Sequence, residues 1–291
     1  RRLIGEHIDL GFHPGAELHT VCADAGQIEQ ILLNLCVNAR DAMPTGGRIL
    51  IETRNVYLDA DYVASHPEAH EGTYVVLSVT DTGCGIPPEV RDRIFEPFFS
   101  TKGVGEGTGL GLATVYAIAQ RHEGFVNLYS ELDRGTTFRI YLPVSGEDTS
   151  ALAEAAGEQT RDCQGSGETV LVAEDDRQVR ELVTRMLSQA GYNVLAAKDG
   201  LDACAVFEAN MDDIEVALLD VVMPKRNGHE VFQVIRAKRP DLPVLFASGY
   251  SFDILNAGFL PADEHILVDK PFVRPNLLHA LHRALARNLE A

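Results

Sequence analysis

An α/β protein of two domains is the fold class this sequence predicts, and three features carry the prediction. In the C-terminal part, short apolar runs each end in polar residues. They are Thr169-Val-Leu-Val-Ala173 before Glu174-Asp175-Asp176, Val216-Ala-Leu-Leu219 before Asp220, Val244-Leu-Phe-Ala247 before Ser248-Gly249, and Ile266-Leu-Val268 before Lys270-Pro271. Segments of helical periodicity separate them, such as 178–190 and 229–238, and this alternation is the pattern of a parallel sheet covered on both faces. In the N-terminal part, a strongly periodic helix is followed by the glycine-rich run Gly105-Glu-Gly-Thr-Gly-Leu-Gly-Leu112. Between the two, residues 144–167 are rich in Ser, Gly, Glu and Ala and lack aromatic residues, as a flexible tether does. The expected boundaries are therefore 1–143, 144–167 and 168–291, with a short Ala-rich helix conceivable near 151–156.

The chain opens on a strand-like segment holding His7, His13 and His19. A helix is expected over 27–43, with Asp24 as N-cap and Gln27 as its capping-box partner. Its apolar stripe is Ile28, Ile31, Leu32, Leu35, Ala39 and Ala42. Gln30, Asn34 and Asn38 repeat every four residues beside it, so they share one face. A solvated flank is the ordinary fate of such residues. Two carboxamide oxygens also suit a Mg²⁺ already bound to a triphosphate, where further carboxylates would repel the phosphates.

Farther along lies Asp81-Thr-Gly-Cys-Gly-Ile86, then Phe95-Glu-Pro-Phe-Phe99, then the glycine-rich run. Glycines let backbone amides approach phosphate oxygens, and a fixed carboxylate accepts from an amino group on a base. A lone Gly-x-Gly run is weak support for a ligand. The four segments in this order, Asn34-Leu-Cys-Val-Asn38, Asp81 to Gly85, Phe95 to Phe99 and Gly107 to Leu112, resemble the N, G1, F and G2 boxes of the ATP-binding catalytic domain of sensor histidine kinases. The resemblance implies an α/β sandwich of the Bergerat type that binds ATP and Mg²⁺. It implies that Asp81 accepts from the adenine amino group within a loop containing Gly83 and Gly85, and that Asn38, assisted by Asn34, coordinates Mg²⁺. Gly107, Thr108, Gly109, Leu110 and Gly111 would border a mobile lid in which Lys102 meets phosphate. Gly135-Thr136, after Ser130-Glu-Leu-Asp-Arg134, is similar to the closing element whose hydroxyl backs up the adenine contact. Asp41 departs from the pattern, standing where many relatives carry a basic residue.

Each polar group of the C-terminal part falls at a strand's C-terminal end, where open α/β sheets place their sites. One such carboxylate is more often loop solvation; four strand ends together resemble the receiver domain of two-component signalling, a doubly wound, five-stranded parallel, flavodoxin-like fold. The resemblance implies that Asp220 is the phosphoacceptor and that Glu174, Asp175, Asp220 and Val222 surround Mg²⁺, Asp175 being the favoured direct ligand. It gives Ser248 and Lys270 to the phosphoryl oxygens, with the Lys270-Pro271 peptide cis. Such chemistry needs cations, because a carboxylate attacking phosphorus meets anionic repulsion. Leu267 stands where relatives carry a switching Tyr or Phe, and Tyr250 is a partial substitute.

Length and composition fit two soluble domains: 291 residues, 45% hydrophobic. A formal net charge of −18, from 43 acidic and 25 basic residues, opposes binding to nucleic acid or an anionic membrane. Five cysteines without metal or redox spacing point to the cytoplasm, and Cys84 reads as a small filler. No run approaches the roughly 18 apolar residues of a membrane span. Opening at Arg1, the chain reads as a fragment of a hybrid histidine kinase, homodimeric when intact. Its phosphoacceptor His would lie on a dimerisation domain upstream, and a histidine phosphotransfer protein or response regulator downstream. His7, His13 and His19 lie in too short a segment to be that acceptor, and His122 reads as a helix terminus. The alternatives are a GHKL ATPase of the chaperone or mismatch-repair type, against which the Phe95 to Phe99 box and the receiver stand, and a non-catalytic adaptor acting through its receiver.

Overall fold

The computed structural model describes residues 4–101, 108–145, 163–249 and 266–289, and the chain forms two compact units. In the first, β1 (Ile8–His13), β2 (Gly47–Leu58), β3 (Gly72–Asp81), β4 (Phe125–Glu131) and β5 (Gly135–Pro143) form a sheet in the order β1-β2-β3-β5-β4. β1 is parallel to β2, and the other neighbours are antiparallel. The helix α1 (Ala25–Asp41) precedes β2 and α3 (Gly111–Arg121) precedes β4; the short α2 (Ala60–Ser65), next along the chain after β2, falls outside this unit.

Alternation along the strands decides which face the helices cover. Phe138, Ile140 and Leu142 of β5 join Ile49, Leu77 and Val79 beneath Ile31, Leu35 and Ala39 of α1 and Val115 and Ile118 of α3. Each of the larger side chains among them contributes about 1.5–3 kcal/mol on burial. The opposite face carries Tyr141, stacked on Phe125 at 4.3 Å, with Tyr74 edge-on to both.

The Asp24 side chain caps α1 by accepting from Gln27 N–H at 2.9 Å. The return half of the expected capping box does not form, since Asp24 N–H donates instead to His122 Nε2 at 3.1 Å. Gln27 Oε1 is left buried without a hydrogen-bond partner. His122 ends α3, and its Nδ1 contacts Ile118 O at 2.9 Å. Through these two ring nitrogens His122 clasps the start of α1 to the end of α3.

The second unit has β6 (Thr169–Ala173), β7 (Asn193–Ala197), β8 (Ile214–Asp220), β9 (Val244–Ser248) and β10 (Ile266–Asp269), all parallel in the order β10-β9-β8-β6-β7. Helices α4 (Arg177–Gln189), α5 (Gly200–Ala209), α6 (Gly228–Lys238) and α7 (Arg274–Leu289) cover it. Val170, Val172, Val216 and Leu218 pack beneath Val183 and Met186 of α4 and Leu277 and Leu281 of α7. Leu171, Ala217, Leu219 and Phe246 face the other way, onto Phe207 of α5 and Val231 and Ile235 of α6. This two-sided burial is the doubly wound arrangement, and strand order reverses between β6 and β8, beside Glu174 and Asp220.

Part of the segment read as a tether belongs to this unit. Cys163 is buried in its core, Gly165 N–H donates to Ala190 O at 2.8 Å, and Tyr192 closes over Gly165. At the other end of that segment, Val144 and Ser145 hydrogen-bond to Thr73 O and Thr20 O. The helix considered near 151–156 lies outside the described residues. Among the described residues no helix is long and apolar enough to cross a membrane.

Candidate functional site

Asp81 ends β3 at 5% exposure. Its Oδ1 accepts from Gly83 N–H at 2.8 Å, and the Thr136 backbone N–H also donates to the carboxylate. Burial raises its pKa to about 6 against the lowering effect of those two bonds. The loop after it is clasped on both sides: Cys84 N–H donates to Ala42 O at 3.2 Å, and Asp133 N–H to Cys84 O at 2.9 Å. Gly85 has φ +71°, and a Cβ there would stand 1.9 Å from Glu131 O, so no larger residue fits. Cys84 itself is exposed, so the filler role expected of it is wrong: the clasp uses its backbone and turns the thiol outward.

Across the helical layer, the Asn34 carboxamide donates to Gly111 O at 3.2 Å, and Gly111 Cα approaches Asn38 closely enough that a Cβ would lie 3.7 Å from its Nδ2. The N-terminus of α3, where Leu110 offers no side-chain cap, therefore opens beside the two asparagines. Uncapped amides there suit an anion. Leu110 N–H reaches Thr108 Oγ1 at 3.4 Å. Gln30, third of the polar stripe, is exposed. Asp41 is engaged by the neighbouring Arg40 guanidinium at 2.6 Å, which offsets its charge.

Phe95 and Phe99 pack against the core, and Arg93 lies 4.6 Å over the Phe99 ring. Phe98 N–H donates to Gly109 O at 2.9 Å, so the Phe box and the glycine-rich run are fastened where Gly109 takes φ +64°. Lys102, Gly105 and Gly107 lie outside the described residues. Arg91, which sequence reasoning missed, lies in the 3-10 helix Pro88–Arg93 and donates to Ile86 O at 3.3 Å and to Ser130 O.

The second constellation sits at the strand ends of the C-terminal unit. Lys270 Nζ lies 2.6 Å from both Asp220 Oδ2 and Glu174 Oε2. Ligand oxygens of Glu174, Asp175 and Asp220 all fall within 4.8 Å of one another. Glu174 and Asp220 are buried, whereas Asp175 is exposed. Burial pushes Glu174 up to about 7 against the pull of Lys270, with Asp220 and Asp175 adding repulsion. Burial likewise raises Asp220. For Lys270 burial acts downward, but the two carboxylates outweigh it and hold the ammonium above its ordinary range. Excess carboxylate around a buried centre is a donor set for a hard divalent cation.

Ser248, 2% exposed, ends β9, and its carbonyl accepts from Lys270 N–H at 2.7 Å; the Lys270-Pro271 peptide is cis. Val222 N–H donates to Asp220 Oδ1 at 3.1 Å. The Val222 and Leu267 side chains pack on the Leu219 and Phe246 cluster. Tyr250 lies outside the described residues.

Residues 23–146 match the family described as “Histidine kinase-, DNA gyrase B-, and HSP90-like ATPase”, and residues 170–282 match “Response regulator receiver domain”. The “Sensor kinase CckA” of Brucella abortus (strain 2308) is 42% identical over 278 residues, which are 93% of this chain and 29% of that protein. The “Sensor histidine kinase ZraS” of Escherichia coli (strain K12) is 38% identical over 138 residues, 47% of this chain and 26% of that protein. Among solved structures, the “Catalytic domain of histidine kinase ThkA” shares 30% identity, covering 50% of this chain and 84% of its own at a TM-score of 0.38. The chain thus spans under a third of the length of the curated relatives it matches. Joining a domain of the histidine kinase-, DNA gyrase B-, and HSP90-like ATPase family to a response regulator receiver domain, the chain has the architecture of a hybrid histidine kinase.

Proposed function

We propose that this chain is the ATP-binding and receiver portion of a kinase that phosphorylates a His on a dimerisation domain and passes phosphoryl to Asp220 in a phosphorelay. The observation that carries the reading is that one chain holds both a buried carboxylate leading into a glycine-containing loop, Asp81, and a buried carboxylate against an ammonium at a parallel-sheet switch point, Asp220.

In this reading Asp81 accepts from the adenine amino group, backed by Thr136 and approached through Gly83 and Gly85. Asn38 and Asn34 supply neutral oxygens for Mg²⁺ on the triphosphate, and the start of α3, from Thr108 to Gly111, receives phosphate with Lys102 and Gly107. In the receiver, Glu174, Asp175, Asp220 and Val222 would hold Mg²⁺, which offsets phosphoryl charge when bound. Lys270 and Ser248 then meet phosphoryl oxygens, and the Asp220 carboxylate is the nucleophile. The segment works in the cytoplasm as part of a homodimer, and a histidine phosphotransfer protein or response regulator takes phosphoryl onward. The working boundaries remain 1–143, 144–167 and 168–291.

The test is transfer in trans. With labelled ATP and Mg²⁺, the chain alone gains no acid-labile phosphohistidine, and addition of a dimerisation domain bearing the acceptor His produces it. Labelling of the isolated chain on His7, His13 or His19 would overturn the reading.

A further inference from the structure

Behind the Asp81 pocket, hydrogen-bond capacity fixes the direction of one proton. Ser130, on β4 and 2% exposed, has a single hydroxyl proton and two lone pairs. Its proton is donated to Gly135 O at 3.0 Å. One lone pair accepts from Ile86 N–H at 2.8 Å. The Thr136 hydroxyl stands 3.0 Å away, and only a lone pair of Ser130 remains to meet it. With the Ser130 proton on Gly135 O, Thr136 is the donor in that bond, which leaves its oxygen with lone pairs alone for any other partner.

Thr136 pairs directly with Asp81 in the β3–β5 register, so the two side chains stand on the same face of the sheet. With the Asp81 carboxyl ionised, as it is well above pH 6, together they make an edge that accepts and cannot donate. A purine with an amino group at position 6 presents hydrogens to such an edge. A purine with a carbonyl there presents lone pairs to lone pairs, a buried mismatch. A Thr136 hydroxyl released from Ser130 would rotate and donate to that carbonyl, and the exclusion would weaken.

We propose that Ser130 is a specificity-determining positioning residue: by holding the Thr136 proton, it makes the pocket select 6-amino over 6-oxo purine nucleotides. The inference rests on Asp81 as the base-binding group. Ser130 also ties the loop after Asp81 through Ile86, with Arg91 gripping the Ser130 carbonyl, so a loss of affinity by itself does not diagnose the role.

The readout is the ratio of affinities for ATP and inosine triphosphate, which differ only at ring positions 1 and 6, by calorimetry on the full chain with Mg²⁺. Ser130→Ala weakens both nucleotides, because Ile86 N–H loses its acceptor, and lowers the ATP preference by about two- to tenfold. Ser130→Thr keeps the preference. Adding Thr136→Val to Ser130→Ala restores it, because no hydroxyl remains to donate. Should the alanine variant not fold, Ser130→Cys fills the space with a weak acceptor and shifts the ratio the same way. Equal weakening of both nucleotides, or a lowered ratio that persists in the double variant, overturns the proposal. An Asp81→Asn control separates the two readings: unchanged ATP affinity there removes the base contact itself, whereas a loss there with an unmoved ratio in Ser130→Ala defeats the Ser130 role alone.

Discussion

Replacing Asp81 by Asn changes one atom and tests the pocket at its centre. The carboxylate accepts from Gly83 N–H and Thr136 N–H and, in the proposed complex, from the adenine amino group. A carboxamide has one oxygen for these donors, so its NH₂ must face either a backbone N–H or the base. A buried donor left facing a donor costs about 1–3 kcal/mol, or roughly a five- to 150-fold loss of ATP affinity. The carboxyl titrates near 6 without nucleotide because it is buried. Adenine favours the ionised form, so affinity in the parent falls as pH drops below about 6, and binding near that pH releases protons. Stability has the opposite sign. With the folded pKa raised from 3.8 to about 6, the folded state holds the proton more tightly, and stability declines as pH rises through that interval. The decline is on the order of 3 kcal/mol, and Asp81→Asn abolishes it. Calorimetry between pH 5 and 8, with urea melts over 4 to 7, reads both effects. Unchanged ATP affinity in a folded Asp81→Asn protein refutes the reasoning.

Two further perturbations probe backbone and charge. Gly135 has φ +127°, and a Cβ there would lie 1.9 Å from Asp81 O; Gly135→Ala therefore parts β5 from β3 beside the pocket, and nucleotide affinity falls at least tenfold together with the melting temperature of the N-terminal unit, readable by calorimetry and thermal melts. Lys270→Met leaves Glu174 and Asp220 buried without their cation, so urea melts at pH 8 show a loss of about 3–5 kcal/mol that shrinks toward pH 5 as the carboxylates protonate.

What was legible in the sequence followed the periods of its elements. Asn34 and Asn38 are four apart, and helical geometry alone sets them on one face toward Gly111. Glu174, Asp220, Ser248 and Lys270 each follow an apolar run, and parallel pairing brings such ends to one edge. The hidden parts depend on meetings between distant segments. Nothing local marks Arg91 as the residue that grips Ile86 and Ser130, and a capping-box pattern at Asp24 and Gln27 gave no sign that His122, 98 positions on, would take the Asp24 N–H. β7 has an apolar run of its own, Val194-Leu-Ala-Ala197, but it is an edge strand with Asn193 exposed, and no group of the phosphoryl site lies at its end to single it out. Cys163 to Gly167 look like a tether by composition, yet glycine there lets Tyr192 lie flat on the chain. Small residues signal close packing as readily as freedom, and only the partner decides.

If Asp220 is the phosphoacceptor, as proposed, the lifetime of its phosphoryl group depends on a residue whose chemistry is missing rather than present. Hydrolysis of an acyl phosphate needs a water in line with phosphorus, and the side chain two positions after the acceptor is placed to orient it. Here that side chain is Val222, with neither donor nor acceptor, and it packs on the apolar cluster while its backbone N–H holds Asp220 Oδ1 at 3.1 Å. One orienting hydrogen bond is worth about 0.5–1.5 kcal/mol, a rate factor of roughly two to ten. Autodephosphorylation of the parent is therefore slow, and Val222→Asn accelerates it within that factor, because the backbone contact to Asp220 survives the change. The assay loads the receiver with a small phosphodonor in Mg²⁺ and follows decay in both proteins, with Asp220→Ala as the variant that does not load. Equal decay at equal fold stability would mean that the water is oriented elsewhere and that Val222 does not set the lifetime.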